Sequence, residues 1–377
     1  MKEISLYIHI PFCKQKCFYC DFPSYSGKDK FKEDYVDALI KEIGRRATDY
    51  TIKTIFIGGG TPSYLEVHQI EKLLSAINKL NLSDDIEFSM ECNPGVLFKE
   101  KLVAMKKGGV NRISFGLQST KNSLLKEVGR IHSYEEFLDN FKLAREVGFK
   151  NINVDIMYGL PNQSVEDWRD TLETICSIKP NHISAYSLII EEGTVFYNLY
   201  EKGLLKLPTE DMEREMDNLT KSVLRNHGYH QYEISNYSLE GMECKHNKVY
   251  WQLKDYIGLG SASSSYINGV RIKNIEDVEE YINRINSGLE VYEEKYKNSE
   301  EDDIEEFIFM GLRMNEGIDI KEFEERFNKT IESIYEKVLE KNIKNGLLKK
   351  DNGKIYLTSI GMDFSNNVMS DFILDKV

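Results

Sequence analysis

The stretch Ser5-Leu-Tyr-Ile-His-Ile-Pro-Phe-Cys13-Lys-Gln-Lys-Cys17-Phe-Tyr-Cys20 joins two patterns. Ser5–Ile10 is a short apolar run of strand type. Directly after it stands a C-x3-C-x2-C spacing, so three of the chain's six cysteines fall within eight residues. Six cysteines in 377 residues are too few for a disulfide scaffold. Thiolates ligate soft metals, and three on one short loop can hold three corners of a cubic [4Fe–4S] cluster. With no fourth cysteine nearby, one iron is left for an exogenous ligand. A zinc site completed by His9 or another histidine, and a chance grouping of buried thiols, are the other readings.

Outward from that stretch, further strand-like runs follow at Thr54–Ile57, Glu87–Glu91, Arg112–Phe115, Ile152–Ile156 and His182–Ser187. Amphipathic stretches separate them: Phe31–Arg46, Leu65–Leu80, Lys99–Lys107, Tyr134–Val147 and Val165–Ile178. Such alternation predicts a parallel sheet covered by helices, either an open doubly wound sheet or a full or partial (β/α) barrel. In both, functional groups gather at the carboxyl ends of strands. Here those ends carry the three cysteines, Gly58-Gly59-Gly60-Thr61, Glu91, Gln118, and Asp155 in Asn153-Val-Asp155-Ile-Met-Tyr-Gly159. One polar or glycine motif per strand end, all on one rim, predicts a single large site.

The chain divides in the sequence as 1–233, a connecting region 234–297, and a C-terminal module 298–377. A helical stretch spans Leu204–Gly228, and the acidic Asn298–Asp303 reads as a linker. Beyond it, helices are predicted at Ile304–Met314, Ile320–Phe327 and Ile331–Asn345, then a hairpin around Asp351-Asn352-Gly353. Three helices and a β-ribbon make a small winged-helix-like α+β domain, read as a packing appendage. Forty-nine basic and 62 acidic side chains leave a net charge of −13, against a general nucleic-acid-binding surface. No apolar run approaches the roughly 18–20 residues that span a bilayer, which leaves room only for peripheral membrane contact. The amino-terminal segment does not read as a secretory signal, so the expected location is the cytoplasm.

Tyr7-Ile-His-Ile-Pro-Phe-Cys13-x3-Cys17-x2-Cys20 resembles the cluster loop of the radical S-adenosylmethionine (SAM) superfamily. More narrowly, the chain resembles the coproporphyrinogen III oxidase-like branch, which holds the oxygen-independent oxidase and the HemW-type haem chaperones. The resemblance covers nearly the whole chain. It implies a partial (β/α)6 barrel, with Cys13, Cys17 and Cys20 ligating the cluster and SAM chelating its open iron. It further implies that Tyr7 lies beside the cluster and that Gly59, Gly60 and Thr61 contact the SAM methionine moiety. Glu91 matches a SAM-binding carboxylate; Gln118, Arg130 and Asp155 match residues that hold a second SAM in the oxidase. Tyr19 falls where the branch has an aromatic near the same ligand.

Two departures separate the paralogues. The oxidase pattern has a further cysteine two residues past the third, where this chain has Phe22, and only twelve residues precede Cys13. Cys13-Lys-Gln-Lys-Cys-Phe-Tyr-Cys-Asp-Phe22 instead follows the chaperone pattern. His246-Asn-Lys-Val-Tyr-Trp251 resembles the H-N-x-x-Y-W motif associated with haem in that group, making His246 the expected haem ligand. The implied function is a haem chaperone that binds haem, a [4Fe–4S] cluster and SAM, and delivers haem to acceptor haemoproteins. The alternative is oxidative decarboxylation of coproporphyrinogen III, and whether SAM is cleaved at all stays open. Cys92, Cys176 and Cys244 read as buried filler, and His9 and His182 as internally satisfied.

Overall fold

In the computed structural model, which describes residues 1–374, the six strand-like runs form six adjacent parallel strands. They are β1 (Lys2–Ile10), β2 (Tyr50–Gly59), β3 (Asn81–Cys92), β4 (Arg112–Gln118), β5 (Asn151–Tyr158) and β6 (His182–Ser187). Parallel neighbours need long crossovers. These carry the helices Lys32–Arg46, Val67–Ile77, Lys99–Lys107, Tyr134–Val147 and Val165–Ser177, with Glu210–Asn226 after the last strand. Helix starts follow local chemistry: Ser133 with Glu136, and Ser164 with Asp167, form capping boxes.

The period-2 alternation of each strand sorts side chains into two environments. Leu6, Ile8, Ile55, Ile57, Phe88, Ile113, Phe115, Ile152 and Val154 are buried in one core with residues of the covering helices. Phe115 meets Phe137 edge-on, with centroids 5.7 Å apart; truncating such a buried ring costs about 3–5 kcal/mol. The alternate residues, including Tyr7, Phe56, Glu91, Arg112, Ser114, Asn153, Asp155 and Ser184, line an interior cavity. A sheet buried on both faces ordinarily reads as continuously apolar, so these polar positions mark the hollow.

The barrel is partial. Beyond β6 the sheet continues antiparallel through β8 (Asn236–Ser238) to β7 (His230–Glu233). Beyond β1 it continues through β9 (Tyr256–Leu259), β10 (Ser264–Ile267), β11 (Val270–Asn274) and β12 (Tyr292–Lys297). Residues 234–297, expected to be a connecting region, therefore extend the main sheet at both edges. Likewise the acidic Asn298–Asp303 is no linker: Ser299 caps the helix Glu300–Leu312, whose first turn holds the acids against the helix dipole.

Helices Ile320–Phe327 and Ile331–Lys344 follow, packed on a small sheet of β13 (Ile318–Asp319), β14 (Leu348–Asp351) and β15 (Lys354–Leu357). Asn352 and Gly353, at φ 50° and 75°, make the two-residue hairpin turn that the dipeptide requires. This module has its own apolar core, which takes in Leu253 and Tyr266 and so joins it to the sheet extension. Residues 375–377 of the expected domain lie outside the described residues. No helix among the described residues is long and apolar enough to cross a membrane.

Candidate functional site

The cysteine loop is pinned over the strand ends by backbone bonds. Cys13 N–H donates to Tyr25 O at 3.0 Å, Tyr25 N–H to Pro11 O at 2.8 Å, and Phe18 N–H to Val128 O at 3.1 Å. Cys13, Cys17 and Cys20 all line one cavity of about 600 Å³. Thr61 Oγ1 donates to Cys13 Sγ, and Arg130 Nη1 to Cys17 Sγ, both at 3.4 Å. Burial pushes the Cys13 thiol up, opposed by the Thr61 and Ser24 hydroxyls. It pushes Cys20 up to about 11. Among the described residues no three His, Cys, Asp or Glu side chains already converge as a metal site. Three soft donors on one loop facing one cavity nevertheless fit a cluster better than a lone hard cation.

The glycine motif works differently from a plain ligand cradle. A Cβ on Gly59 (φ +110°) would meet the His9 ring at 2.4 Å, and one on Gly60 would meet Phe12 O at 2.9 Å and Ile10 O at 3.0 Å. The absent side chains let this loop lie against β1 and the start of the cysteine loop, where Gly60 N–H donates to Ile10 O and Thr61 N–H to Phe12 O. Lys101, buried, donates from Nζ to Ser63 O at 2.7 Å and to Val96 O at 3.1 Å. Burial brings its ammonium down to about 8.

Glu91 and Asp155 face each other across the cavity. Glu91 Oε2 accepts from Gly59 N–H at 3.1 Å. Burial, then the nearby Asp155, raises the Glu91 carboxyl to about 8, against the pull of Gly59 and Arg112. Asp155 accepts from Ser114 Oγ at 3.1 Å and Asn153 Nδ2 at 2.7 Å, and burial still raises it. Gln118 closes β4 at a register break with φ +75°, and its Oε1 has no partner. Such a bulge re-aims a side chain at a strand end. Arg130 also donates to Gly116 O. Tyr19 lines the wall, its hydroxyl pushed up by burial and by Cys17.

Tyr7 sits over a relay. His9 Nε2 lies 2.8 Å from the Pro23 carbonyl, which can only accept, so Nε2 carries the proton. His9 Nδ1 therefore accepts from Tyr7 O–H at 2.9 Å.

His246 lies at the far end of the cavity. The helix Lys245–Trp251 crosses the barrel base, where Lys245 N–H and His246 N–H donate to Glu87 in the middle of β3. Thr54 Oγ1 donates to Ser5 Oγ and so accepts from His246 Nδ1–H at 2.7 Å. The opposite nitrogen, Nε2, accepts from Tyr250 O–H at 2.9 Å. Burial, then Arg112, lowers the imidazole to about 3, so it is neutral. Both ring nitrogens of the expected haem ligand are engaged in this structure, and iron would reach Nε2 only after Tyr250 turns away.

The structure thus brings all thirteen expected residues to one wall or another of a single chamber or to the loops directly behind it. Sequence reasoning missed Arg112 and Tyr186, which line the cavity, and Lys101 behind the glycine loop. For Arg112 the signal was the alternation Arg112-Ile-Ser114-Phe-Gly116-Leu-Gln118, which puts it on the same face as Gln118. Cys92, Cys176 and Cys244 are buried, and His182 is satisfied by Asn153 and Tyr232.

An incomplete parallel barrel with three clustered cysteines and polar strand ends defines a radical SAM protein. The Radical SAM superfamily profile matches residues 7–175, and the HemN C-terminal domain profile residues 298–364. Heme chaperone HemW of Bacillus subtilis is 40% identical over 374 residues, covering 98% of this chain and 99% of the relative. Heme chaperone HemW of Lactococcus lactis is 38% identical over 377 residues, covering 100% and 99%. Coproporphyrinogen III oxidase (HemN) from Escherichia coli shares the fold, with a TM-score of 0.86 at 23% identity over 99% of this chain and 90% of that one. The chain belongs to the HemW family of radical SAM proteins.

Proposed function

We propose that this chain is a cytoplasmic haem chaperone: it carries a [4Fe–4S] cluster and SAM, takes up haem, and passes it to acceptor haemoproteins. The observation that carries the reading is the continuous cavity from the three cysteines at the rim to His246 and Tyr250 at the base. A [4Fe–4S] cluster supplies single electrons to a sulfonium compound bound at its open iron. Cys13, Cys17 and Cys20 are its ligands; hydrogen bonds from Thr61 and Arg130 stabilise the charge on two of the sulfurs. Glu91, with Tyr7, Tyr19, Gly59, Gly60 and Thr61, forms the SAM wall, the carboxylate facing the cationic end of the ligand. Gln118, Arg130 and Asp155 bind on the opposite wall. His246 presents a neutral imidazole to haem when Tyr250 releases Nε2.

Phe22 and Ile189, 61% and 67% exposed at the cavity mouth, offer apolar contact to an entering macrocycle. The likeness of fold to HemN supports the oxidase as a second reading. Anaerobically reconstituted protein is titrated with haem by its visible absorbance and then mixed with an apo-haemoprotein. Uptake followed by transfer is expected. Stoichiometric conversion of coproporphyrinogen III to protoporphyrinogen IX with SAM and reductant overturns the chaperone reading.

A further inference from the structure

Arg112 opens β4, where its register partner on β3 is Ser89. Its side chain is 2% exposed and lines the cavity. No hydrogen bond or ion pair holds the guanidinium among the described residues, and Nε is fully enclosed without a partner. The Arg112 charge is balanced through space by acids that include Glu87 and Asp155, with no direct acceptor on the guanidinium, and a buried cation without one is costly. Ser89 Oγ, adjacent by register, is a second enclosed group with no partner.

The acids around Arg112 are held by other donors. Glu87 accepts from Lys245 N–H and His246 N–H, Glu91 from Gly59 N–H, and Asp155 from Ser114 and Asn153. Arg130, the other guanidinium of the cavity, is already engaged by Gly116 O and Cys17. Among the described residues that line the chamber, Arg112 is thus a guanidinium with no direct hydrogen-bond or ion-pair partner, close enough to His246 to influence its charge. A planar fork of N–H donors that reaches the cavity is matched by a carboxylate.

We propose that Arg112 is a carboxylate anchor that holds a propionate of the bound tetrapyrrole. This rests on the haem reading above. The SAM carboxylate is not its target, because the superfamily resemblance commits that group to the cluster iron. The anchor also sets orientation: a propionate at Arg112 brings the edge of the macrocycle to the base, within reach of the Tyr250–His246 pair.

The test uses cluster-loaded protein and two ligands, haem and haem dimethyl ester, whose propionates are uncharged. Wild-type protein is expected to bind haem about tenfold or more tightly than the ester. Arg112→Met removes that preference, and Arg112→Lys restores part of it. If Arg112→Met fails to fold, Arg112→Lys carries the test: a haem preference as large as the wild type's overturns the anchor. Iron content and SAM binding stay unchanged in every variant. Equal binding of haem and ester by the wild type overturns the anchor while leaving the haem reading intact. Binding of neither ligand overturns the haem reading itself. Loss of SAM binding in Arg112→Met, with haem binding unchanged, assigns the cation to the sulfonium compound and overturns the proposal.

Discussion

Replacing Glu91 by Gln should stabilise the cofactor-free protein while impairing its site. Gln keeps an oxygen to accept from Gly59 N–H but never ionises. Below pH 4.5, the ordinary value, Glu91 is neutral in both the folded and unfolded chains. Between pH 4.5 and the folded value of about 8 the unfolded chain loses its proton and the folded chain keeps it, so wild-type stability falls as pH rises. At about 1.4 kcal/mol per unit this gives a ceiling of about 5 kcal/mol. Glu91 is only half-buried and water in the open cavity screens part of the effect, leaving about 2–3 kcal/mol. Anaerobic urea unfolding of wild type and Glu91→Gln from pH 5 to pH 8.5 measures it. The two curves should nearly coincide at pH 5 and diverge toward pH 8, with Gln the more stable. SAM affinity should fall in the same variant, because the neutral amide cannot face a cationic ligand. Stability profiles that run parallel across the range would refute suppression of ionisation by burial.

Gly60→Ala places a methyl against backbone atoms of Ile10 and Phe12 that cannot swing aside; a loss of about 1–3 kcal/mol in unfolding free energy is expected, together with poorer iron retention on Cys13. Tyr250→Phe removes the donor on His246 Nε2, so haem affinity should rise and its absorbance should report histidine ligation, whereas His246→Ala in the same background should abolish both. Cys13→Ala, Cys17→Ala and Cys20→Ala should each lose the cluster's broad visible absorbance after anaerobic reconstitution; full iron content in all three would remove the cluster assignment.

The parallel barrel was legible because its strands are long runs separated by helix-period stretches, and strand ends in such folds collect function. The sheet extension was not. β9, β10 and β11 are four or five residues each, and their place beside β1 depends on long-range pairing that no local pattern encodes. Asn298–Asp303 misled because four consecutive acids look like solvated linker, although Ser299 and Asp302 carry the spacing of a capping box. At the site, residue type was legible and direction was not. The motif pointed to His246 as a ligand; only the Thr54 and Tyr250 bonds show which nitrogen holds the proton and which is covered. Gly59 and Gly60 were matched to a SAM contact; the motif does not show that a Cβ on either would also meet His9 or the backbone before Cys13.

The motif His246–Trp251 makes sense as one device when its three aromatic members are followed outward. His246 reaches into the barrel to Thr54 on β2 and stacks on Phe56, with centroids 5.4 Å apart. Tyr250 covers its outer nitrogen and meets Tyr256 of β9 edge-on at 4.7 Å. Trp251 lies under the Arg313 guanidinium at 4.4 Å, where the C-terminal module begins. Arg313 in turn stands 3.9 Å from Glu233, whose other contacts hold the β7–β8 edge. A ligand that turns Tyr250 off His246 therefore moves a ring on the same two-turn helix that carries Trp251. In a close-packed interior such a rotation is passed to the neighbours rather than absorbed. The floor of the barrel and the C-terminal module therefore share one packed helix.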